Sequence, residues 1–103
     1  MDTAYIWSYR VKPEWRTRFR EAYGPNGEWT QFFSRSADYI RTDFFAGEKD
    51  ESRFVTIDYF RSLAGRAALV AKFAAEYEAI DRRWQDATED ETYLGAFQVA
   101  ARV

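Results

Sequence analysis

Alternating apolar positions predict four β-strands in this chain. The most informative one runs from Arg53 to Arg61, where apolar or β-branched side chains fill both sets of alternate positions: Val55, Ile57 and Tyr59 in one set, and Phe54, Thr56 and Phe60 in the other. Successive side chains of a strand point to opposite faces of its sheet. This strand is therefore expected to lie inside the molecule, covered on both sides.

The three other predicted strands span Ala4–Val11, Tyr39–Ala46 and Thr92–Arg102. The polar run Gly47–Ser52 is typical of a hairpin loop, so the second and third strands are expected to pair. Thr88–Glu91 resembles a helix cap, but no helical pattern follows it, and we interpret it as a loop.

Apolar residues at a spacing of three to four predict helices between these strands. A first helix begins near Pro13, and after the turn Gly24–Gly27 a second short helix continues it as far as Asp38. Ser62 is suited to cap a helix of about six turns. The apolar stripe of this long helix is Leu63, Ala67, Val70, Ala74, Tyr77, Ile80 and Trp84.

The order strand, broken helix, strand, strand, helix, strand predicts an α+β fold of the ferredoxin-like βαββαβ type, with residues 1–103 forming one domain. Its four-stranded antiparallel sheet would carry the helices on one face only. The other face would then expose an apolar patch too large for a monomer in water. We expect a homodimeric α/β barrel, formed by sheet-on-sheet packing of two copies. Ordinary half-exposed strand aromatics are the alternative.

The composition excludes several kinds of chemistry. The chain has no Cys and no His, which excludes disulfides, thiolate or imidazole metal ligands and His-dependent catalysis. A net charge of −2 without a basic stretch argues against nucleic acid as a partner. No signal peptide and no membrane-spanning run is visible, so a cytoplasmic location is the default expectation.

Nine Phe, seven Tyr and four Trp predict a large aromatic core, an aromatic-lined pocket or interface, or both. Four aromatic residues of the predicted helices are expected to face the sheet: Trp29, Phe33, Phe73 and Tyr77. They either bind a small aromatic molecule or belong simply to the core. Tyr59 is either a candidate proton donor or acceptor, or a core residue whose hydroxyl is satisfied within the protein. Ser8 is a small polar group that could orient a ligand.

Charged residues within the strands form the second set of candidates. Arg10, Arg41 and Asp58 need partners inside a covered sheet. As a catalytic site, an Arg such as Arg41 would stabilise an enolate or phenolate while Asp58 accepted the proton. As structure, Asp58 and an Arg would form a salt bridge across the dimer or at the sheet edge.

Four segments, taken together and in order, resemble the antibiotic biosynthesis monooxygenase family of the dimeric α/β-barrel superfamily. These are Val11–Glu14, Tyr39–Thr42, Arg53–Ser62 and Leu94–Phe97. The sequence departs from that family in two ways. Phe60 stands where a Trp is typical, and Ala67–Val70 replaces a region that carries a His in many quinol-oxidising members.

The resemblance implies an oxidoreductase that needs neither metal nor cofactor. Such a protein holds a small hydrophobic aromatic, for example a quinol, an anthrone or a polyketide-like compound, and lets its anion react directly with dioxygen. The catalytic candidates are then Asp58, Tyr59 and Arg41. Two alternatives stay open: a non-catalytic binding or accessory protein, and a polyketide cyclase or isomerase.

Overall fold

The computed structural model describes all residues from Met1 to Val103 and contains one antiparallel sheet. Its strands are β1 (Thr3–Val11), β2 (Tyr39–Ala46), β3 (Arg53–Phe60) and β4 (Thr88–Gln98), arranged in the order β2-β3-β1-β4. This α+β architecture confirms the predicted ferredoxin-like fold. Strands β1 and β3 occupy the centre, as their apolar residues on both faces require.

Four α-helices connect the strands. They are α1 (Arg16–Tyr23), α2 (Glu28–Phe33), α3 (Leu63–Lys72) and α4 (Ala74–Trp84), and single 3₁₀ turns lie at Pro13–Trp15 and Gln85–Ala87. Ser62 caps α3 as predicted, because its hydroxyl accepts a hydrogen bond from the Gly65 N–H at 3.0 Å.

The prediction of one continuous six-turn helix is wrong, because the helix is divided into α3 and α4 at Phe73. This residue leaves helical geometry (φ −118°, ψ 39°), although its N–H still donates to Leu69 O and its carbonyl accepts from the Tyr77 N–H. The Phe73 ring lies against the Phe32 ring and under the Arg35 guanidinium. The apolar stripe therefore continues across a bend that its periodicity does not reveal.

The predicted bounds of β4 are also wrong. Thr88–Glu91, expected to be a loop, pairs with the end of β1, where Glu91 lies opposite Tyr9 and Thr88 opposite Val11. An acidic run is tolerated here because β4 is an edge strand with one side open to water. The strand ends at Gln98, opposite Thr3, and one further backbone hydrogen bond joins the Val99 N–H to the Asp2 carbonyl at 2.9 Å.

A β-bulge in β2 changes which side chains share a face. Tyr39 lies opposite Phe60 of β3, but Arg41 is already opposite Tyr59, so Ile40 is an additional residue. Strict alternation would place Tyr39 and Arg41 on the same face. The bulge separates them, so that Tyr39 packs under the helices and Arg41 lies on the other side of the sheet.

The core lies between the sheet and the helices and is mostly aromatic. Phe19 of α1 is fully buried and stacks on Tyr23 with ring centroids 3.9 Å apart, while Tyr9 and Phe54 of the sheet contact it from below. Aromatic pairs at such distances stabilise the fold beyond the area they bury. The opposite sheet face, which we call the open face, has no helix over it.

Candidate functional site

A cavity penetrates the core between the sheet and helices α2, α3 and α4. Its wall is largely aromatic: Trp7, Tyr9, Tyr23, Trp29, Phe33 and Tyr77. The space between its atoms amounts to about 470 Å³ when the open mouth is included, but the part open to the centre of a water molecule is only about 40 Å³. One water needs about 10–15 Å³ by the second measure. The cavity is thus a narrow slot with a wider mouth.

Asp58 is the buried carboxyl of this cavity. It lies on β3 between Tyr5 of β1 and Thr42 of β2, and only 6% of it is exposed. The alternation that buries Phe54, Thr56 and Phe60 directs this side chain to the same, helical, face. Burial raises the pKa of Asp58 to about 6, although the Thr42 hydrogen bond and the charge of Arg66 act in the opposite direction.

A chain of hydroxyls is attached to this carboxyl. Thr42 Oγ1 donates to Asp58 Oδ1 at 2.6 Å, and the Tyr39 hydroxyl lies 2.7 Å from Thr42 Oγ1. Since the Thr42 proton is engaged with Asp58, Tyr39 acts as the donor to Thr42. The hydrogen bonds therefore fix one carboxylate oxygen and leave Oδ2 without a protein partner.

Two donors that line the same cavity have no partner. Arg66 of α3 and Trp29 of α2 both line the cavity, and Arg66 Nε and Trp29 Nε1 are buried without a hydrogen bond. The Arg66 guanidinium lies 4.7 Å from the centroid of the Tyr5 ring. Unsatisfied buried donors carry a free-energy cost that a bound acceptor would relieve.

Two tyrosine hydroxyls complete the inner wall. The Tyr9 hydroxyl lies 3.3 Å from Thr56 Oγ1, and burial is the main cause that raises the pKa of both Tyr9 and Tyr23. The proximity of Trp29 acts against this rise at Tyr23, although Trp29 Nε1 does not reach hydrogen-bond geometry with that hydroxyl. Both hydroxyls therefore stay protonated at neutral pH and act as neutral hydrogen-bonding groups.

The mouth of the cavity is acidic. Asp81 of α4 and Glu91 of β4 both line it, and both are exposed to solvent. Desolvation first, and the charge of Asp81 second, raise the pKa of Glu91. Neither carboxyl forms an ion pair or accepts a side-chain hydrogen bond.

Four of the residues predicted from the sequence meet at this cavity: Asp58, Trp29, Phe33 and Tyr77. Phe73 belongs to the same aromatic layer, where it packs against the core, but it does not line the cavity. The structure thus brings the aromatic candidates and the acidic candidate together, and the helices supply three of the four.

The other predicted residues lie on the open face. The Arg41 guanidinium lies 4.3 Å from the centroid of the Tyr59 ring and pairs with Asp43, while Ser8 accepts a hydrogen bond from Arg53 at 2.9 Å. The predicted pairing of Asp58 with Arg41 is not formed, because the bulge at Ile40 and the alternation of β3 direct the two side chains to opposite faces. The sheet separates Arg41, Tyr59 and Ser8 from the cavity.

Sequence reasoning missed Thr42, Tyr9, Arg66 and the two acids at the mouth. Thr42 and Tyr9 can be found once the strand register is known. Thr42 lies directly opposite Asp58, and Tyr9 lies opposite Phe54, two residues from its partner Thr56. Arg66 carried a weaker signal. It is one turn after the Ser62 cap, and an Arg there is usually a surface residue.

No group of three or more His, Cys, Asp or Glu side chains is arranged to hold a metal ion. None of the helices is long and apolar enough to cross a membrane.

Comparison with known proteins finds similarity in structure alone. No family model and no curated sequence matches the chain. A candidate antibiotic biosynthesis monooxygenase from Nitrosomonas europaea superposes with a TM-score of 0.74 at 17% identity, with 96% of this chain and 90% of that one covered. A similar candidate from Deinococcus radiodurans gives 0.75 at 12% identity, with 100% and 96% covered.

A third solved structure is a mutant form of SnoaB from Streptomyces nogalater, described as a cofactor-independent oxygenase. It superposes with a TM-score of 0.74 at 12% identity and covers 99% of this chain and 96% of its own. Likeness at such identities establishes the fold. The chain therefore has the fold of the antibiotic biosynthesis monooxygenases over its full length, and its chemistry must be argued from its own residues.

Proposed function

We propose that this protein is a cofactor-independent monooxygenase that acts on a small, electron-rich hydroxylated aromatic. The observation that carries the proposal is Asp58, a buried carboxyl whose pKa is raised to about 6, in a slot with aromatic walls. A general base works best when its pKa lies close to the working pH. At neutral pH Asp58 is ionised and still basic enough to accept a proton.

The first step is transfer of a proton to Asp58, from a phenolic hydroxyl or, in an anthrone, from the hydroxyl of its anthranol tautomer. A phenol has a pKa of about 10, so the transfer to a carboxylate of about 6 is uphill by about 4 pKa units, or roughly 5 kcal/mol. The free donors of Arg66 and Trp29 lie in the same cavity, and hydrogen bonds to a charged group contribute roughly 1.5–3 kcal/mol each. Together they offset most of that difference by stabilising the anion.

The second step needs only dioxygen and the substrate's own electrons. In an anthrone, the ring CH₂ becomes C=O, one oxygen atom enters the product and the other leaves as water. The substrate supplies all four electrons that reduce O₂, so the balance requires no other reductant. The protein's part is to hold the ring, exclude water and place the proton.

A structural neighbour supports this proposal, since SnoaB is described as a cofactor-independent oxygenase. The narrow slot restricts the choice of substrate. A ring entering it must displace side chains or remain partly in the mouth, so compounds of one or two rings fit better than larger ones. Anthrone is the upper limit worth testing.

Oxygen uptake tests the proposal. With 1,4-dihydroxynaphthalene or anthrone as substrate, we expect Asp58→Asn to lower the enzymatic rate by about 10²–10⁴-fold, the usual contribution of a general base. Asp43→Asn is the matched control, because Asp43 is an acid of the neighbouring strand that lies on the open face with Arg41. Unchanged uptake in Asp58→Asn would remove this residue from the mechanism.

A second reading, non-catalytic binding of an aromatic metabolite, draws support from the small volume of the slot. Binding without oxygen uptake would favour it. Conversion that proceeds equally well without oxygen would instead favour cyclisation or isomerisation of a polyketide-like compound.

We also propose that the protein works as a homodimer. The open face carries Ile6, Val55, Ile57 and Tyr59, none of them covered by a helix, and Phe45 and Phe97 are about half exposed. A second copy, packed sheet against sheet, would bury this surface.

A further inference from the structure

We propose that the cavity selects a substrate that carries a positively charged amine, and that Asp81 and Glu91 at its mouth bind this amine. The inference concerns the ligand of the same site, so it rests on the proposed function for its chemistry but not for its test. It begins from the charges on the cavity wall. Asp58, Asp81 and Glu91 are acidic, and Arg66 is the one basic residue of the lining.

The two acids at the mouth come from different elements. Asp81 is one turn after Tyr77 on α4, and Glu91 is opposite Tyr9 on β4. They are close enough for the charge of Asp81 to disfavour ionisation of Glu91, and no basic side chain of the protein pairs with either of them. A cation between the two acids would remove their repulsion.

The aromatic walls favour the same kind of ligand. Trp7, Tyr23 and Tyr77 line the cavity together with the two acids, and Tyr23 is near enough to both carboxylates to feel their charge. The faces of aromatic rings attract cations, and Trp and Tyr are the most effective at this. Rings and carboxylates that line one cavity therefore define a site for an alkylammonium group.

An independent observation indicates that the cavity also binds a hydrogen-bond acceptor of the ligand. Trp29 is nine-tenths buried, and its Nε1 donor has no partner. Arg66 Nε is likewise unpaired. These donors suit an oxygen atom, whereas the mouth suits a cation. The expected ligand is thus a hydroxylated aromatic ring with its oxygen inside and an ammonium group on a short side chain outside.

Three single-ring phenols whose side chains differ in charge test this inference. Tyramine carries an ammonium, 4-ethylphenol carries no charge, and 3-(4-hydroxyphenyl)propionate carries a carboxylate. Calorimetric titration under nitrogen measures their binding without any turnover. We expect tyramine to bind about tenfold more tightly than 4-ethylphenol, and the propionate to bind most weakly, because exposed ion pairs and cation–π contacts contribute modestly each.

Variants locate the source of the preference. Asp81→Asn and Glu91→Gln are each expected to reduce tyramine binding severalfold and to leave 4-ethylphenol unchanged. Glu78→Gln is the matched control, since it changes the net charge equally from an exposed position on α4 outside the cavity. It should leave both affinities as they are.

The inference is overturned by equal affinity for tyramine and 4-ethylphenol, by a preference for the propionate, or by a tyramine preference that survives both substitutions together. Absence of binding for all three phenols overturns it as well. None of these results decides the oxygenation itself. Oxygen uptake by the wild-type protein with an uncharged quinol decides that question separately.

Discussion

At the scale of single residues, Asp58 is the feature with the largest consequences. A carboxyl that is 6% exposed, with one hydroxyl donor and no ion pair, is held in its charged form at an energetic cost. Buried acids of this kind are frequent at active sites because burial sets their basicity. The same burial makes Asp58 a liability for stability at neutral pH.

The direction in which Asp58 changes stability with pH follows from the linkage between proton binding and folding. In the unfolded chain the pKa of an Asp is about 3.9, whereas in the folded protein the pKa of Asp58 is about 6. Between these values the folded state binds the additional proton, so Asp58 makes the protein less stable as the pH rises. The cost is absent below about pH 4 and complete above about pH 6, where it amounts to about 3 kcal/mol.

Replacing Asp58 with Asn removes this titration. We expect the free energy of unfolding of Asp58→Asn, relative to the wild type, to increase by about 3 kcal/mol between pH 4 and pH 7. Urea denaturation of both proteins across this range measures the difference. A difference that stays constant with pH would mean that Asp58 titrates alike in the folded and unfolded states.

At the scale of elements, much of the architecture follows from the sequence. The alternation in β3 and β1, the Ser62 cap and the loop Gly47–Ser52 each have one strong local cause, and each is found as predicted. The bend at Phe73 and the extension of β4 to Thr88 depend on contacts with other elements. No local pattern encodes them.

The candidate site likewise has a part that the sequence predicts and a part that depends on contacts between elements. Asp58 and the helical aromatics are recognisable as candidates from the sequence, because a charge inside a strand and a high aromatic content are unusual. Which face each occupies depends on strand register, and one additional residue at Ile40 moves Arg41 away from Asp58. Partners of a buried group therefore cannot be derived from alternation alone when a strand contains a bulge.

The start of α3 offers a test of close packing between elements. A Cβ atom on Gly65 would lie 2.6 Å from the Cβ of Asp38, and the Asp38 carbonyl is held by the Arg61 N–H at 2.8 Å. Ala normally stabilises a helix relative to Gly by up to about 1 kcal/mol. Here we expect Gly65→Ala to destabilise the protein by about 1–3 kcal/mol instead, because of overpacking.

Thermal or urea denaturation measures this effect, and Asp38→Gly supplies the control. Adding Gly65→Ala in the Asp38→Gly background should cost much less, since the obstructing Cβ atom is gone. A Gly65→Ala protein that is more stable than the wild type would show that the start of α3 can move away from Asp38.

At the scale of the whole molecule, the sheet has two unlike faces. One face packs against the helices and lines the cavity. The other face carries apolar residues that no helix covers. Patches of that kind usually mark interaction sites. The charged pair Arg41–Asp43 lies on this face too, at the side of β2.

We expect the wild-type protein to be a dimer in native mass spectrometry, and Ile57→Lys to be a monomer, because a charge in the middle of the open face cannot be buried without a partner. Ala67→Lys is the matched control, since it adds the same charge to an exposed position on α3. It should remain a dimer. A monomeric wild type, or a dimeric Ile57→Lys protein, would contradict sheet-on-sheet assembly.

The central claim is that Asp58 is a base whose pKa lies close to neutral pH, inside an aromatic cavity. The most direct test is a ¹³C NMR titration of the side-chain carboxyl groups, with Asp58→Asn used to assign the resonance. We predict that the Asp58 resonance titrates with a pKa near 6. An Asp58 resonance that titrates near 4, like an ordinary Asp in water, would contradict the account.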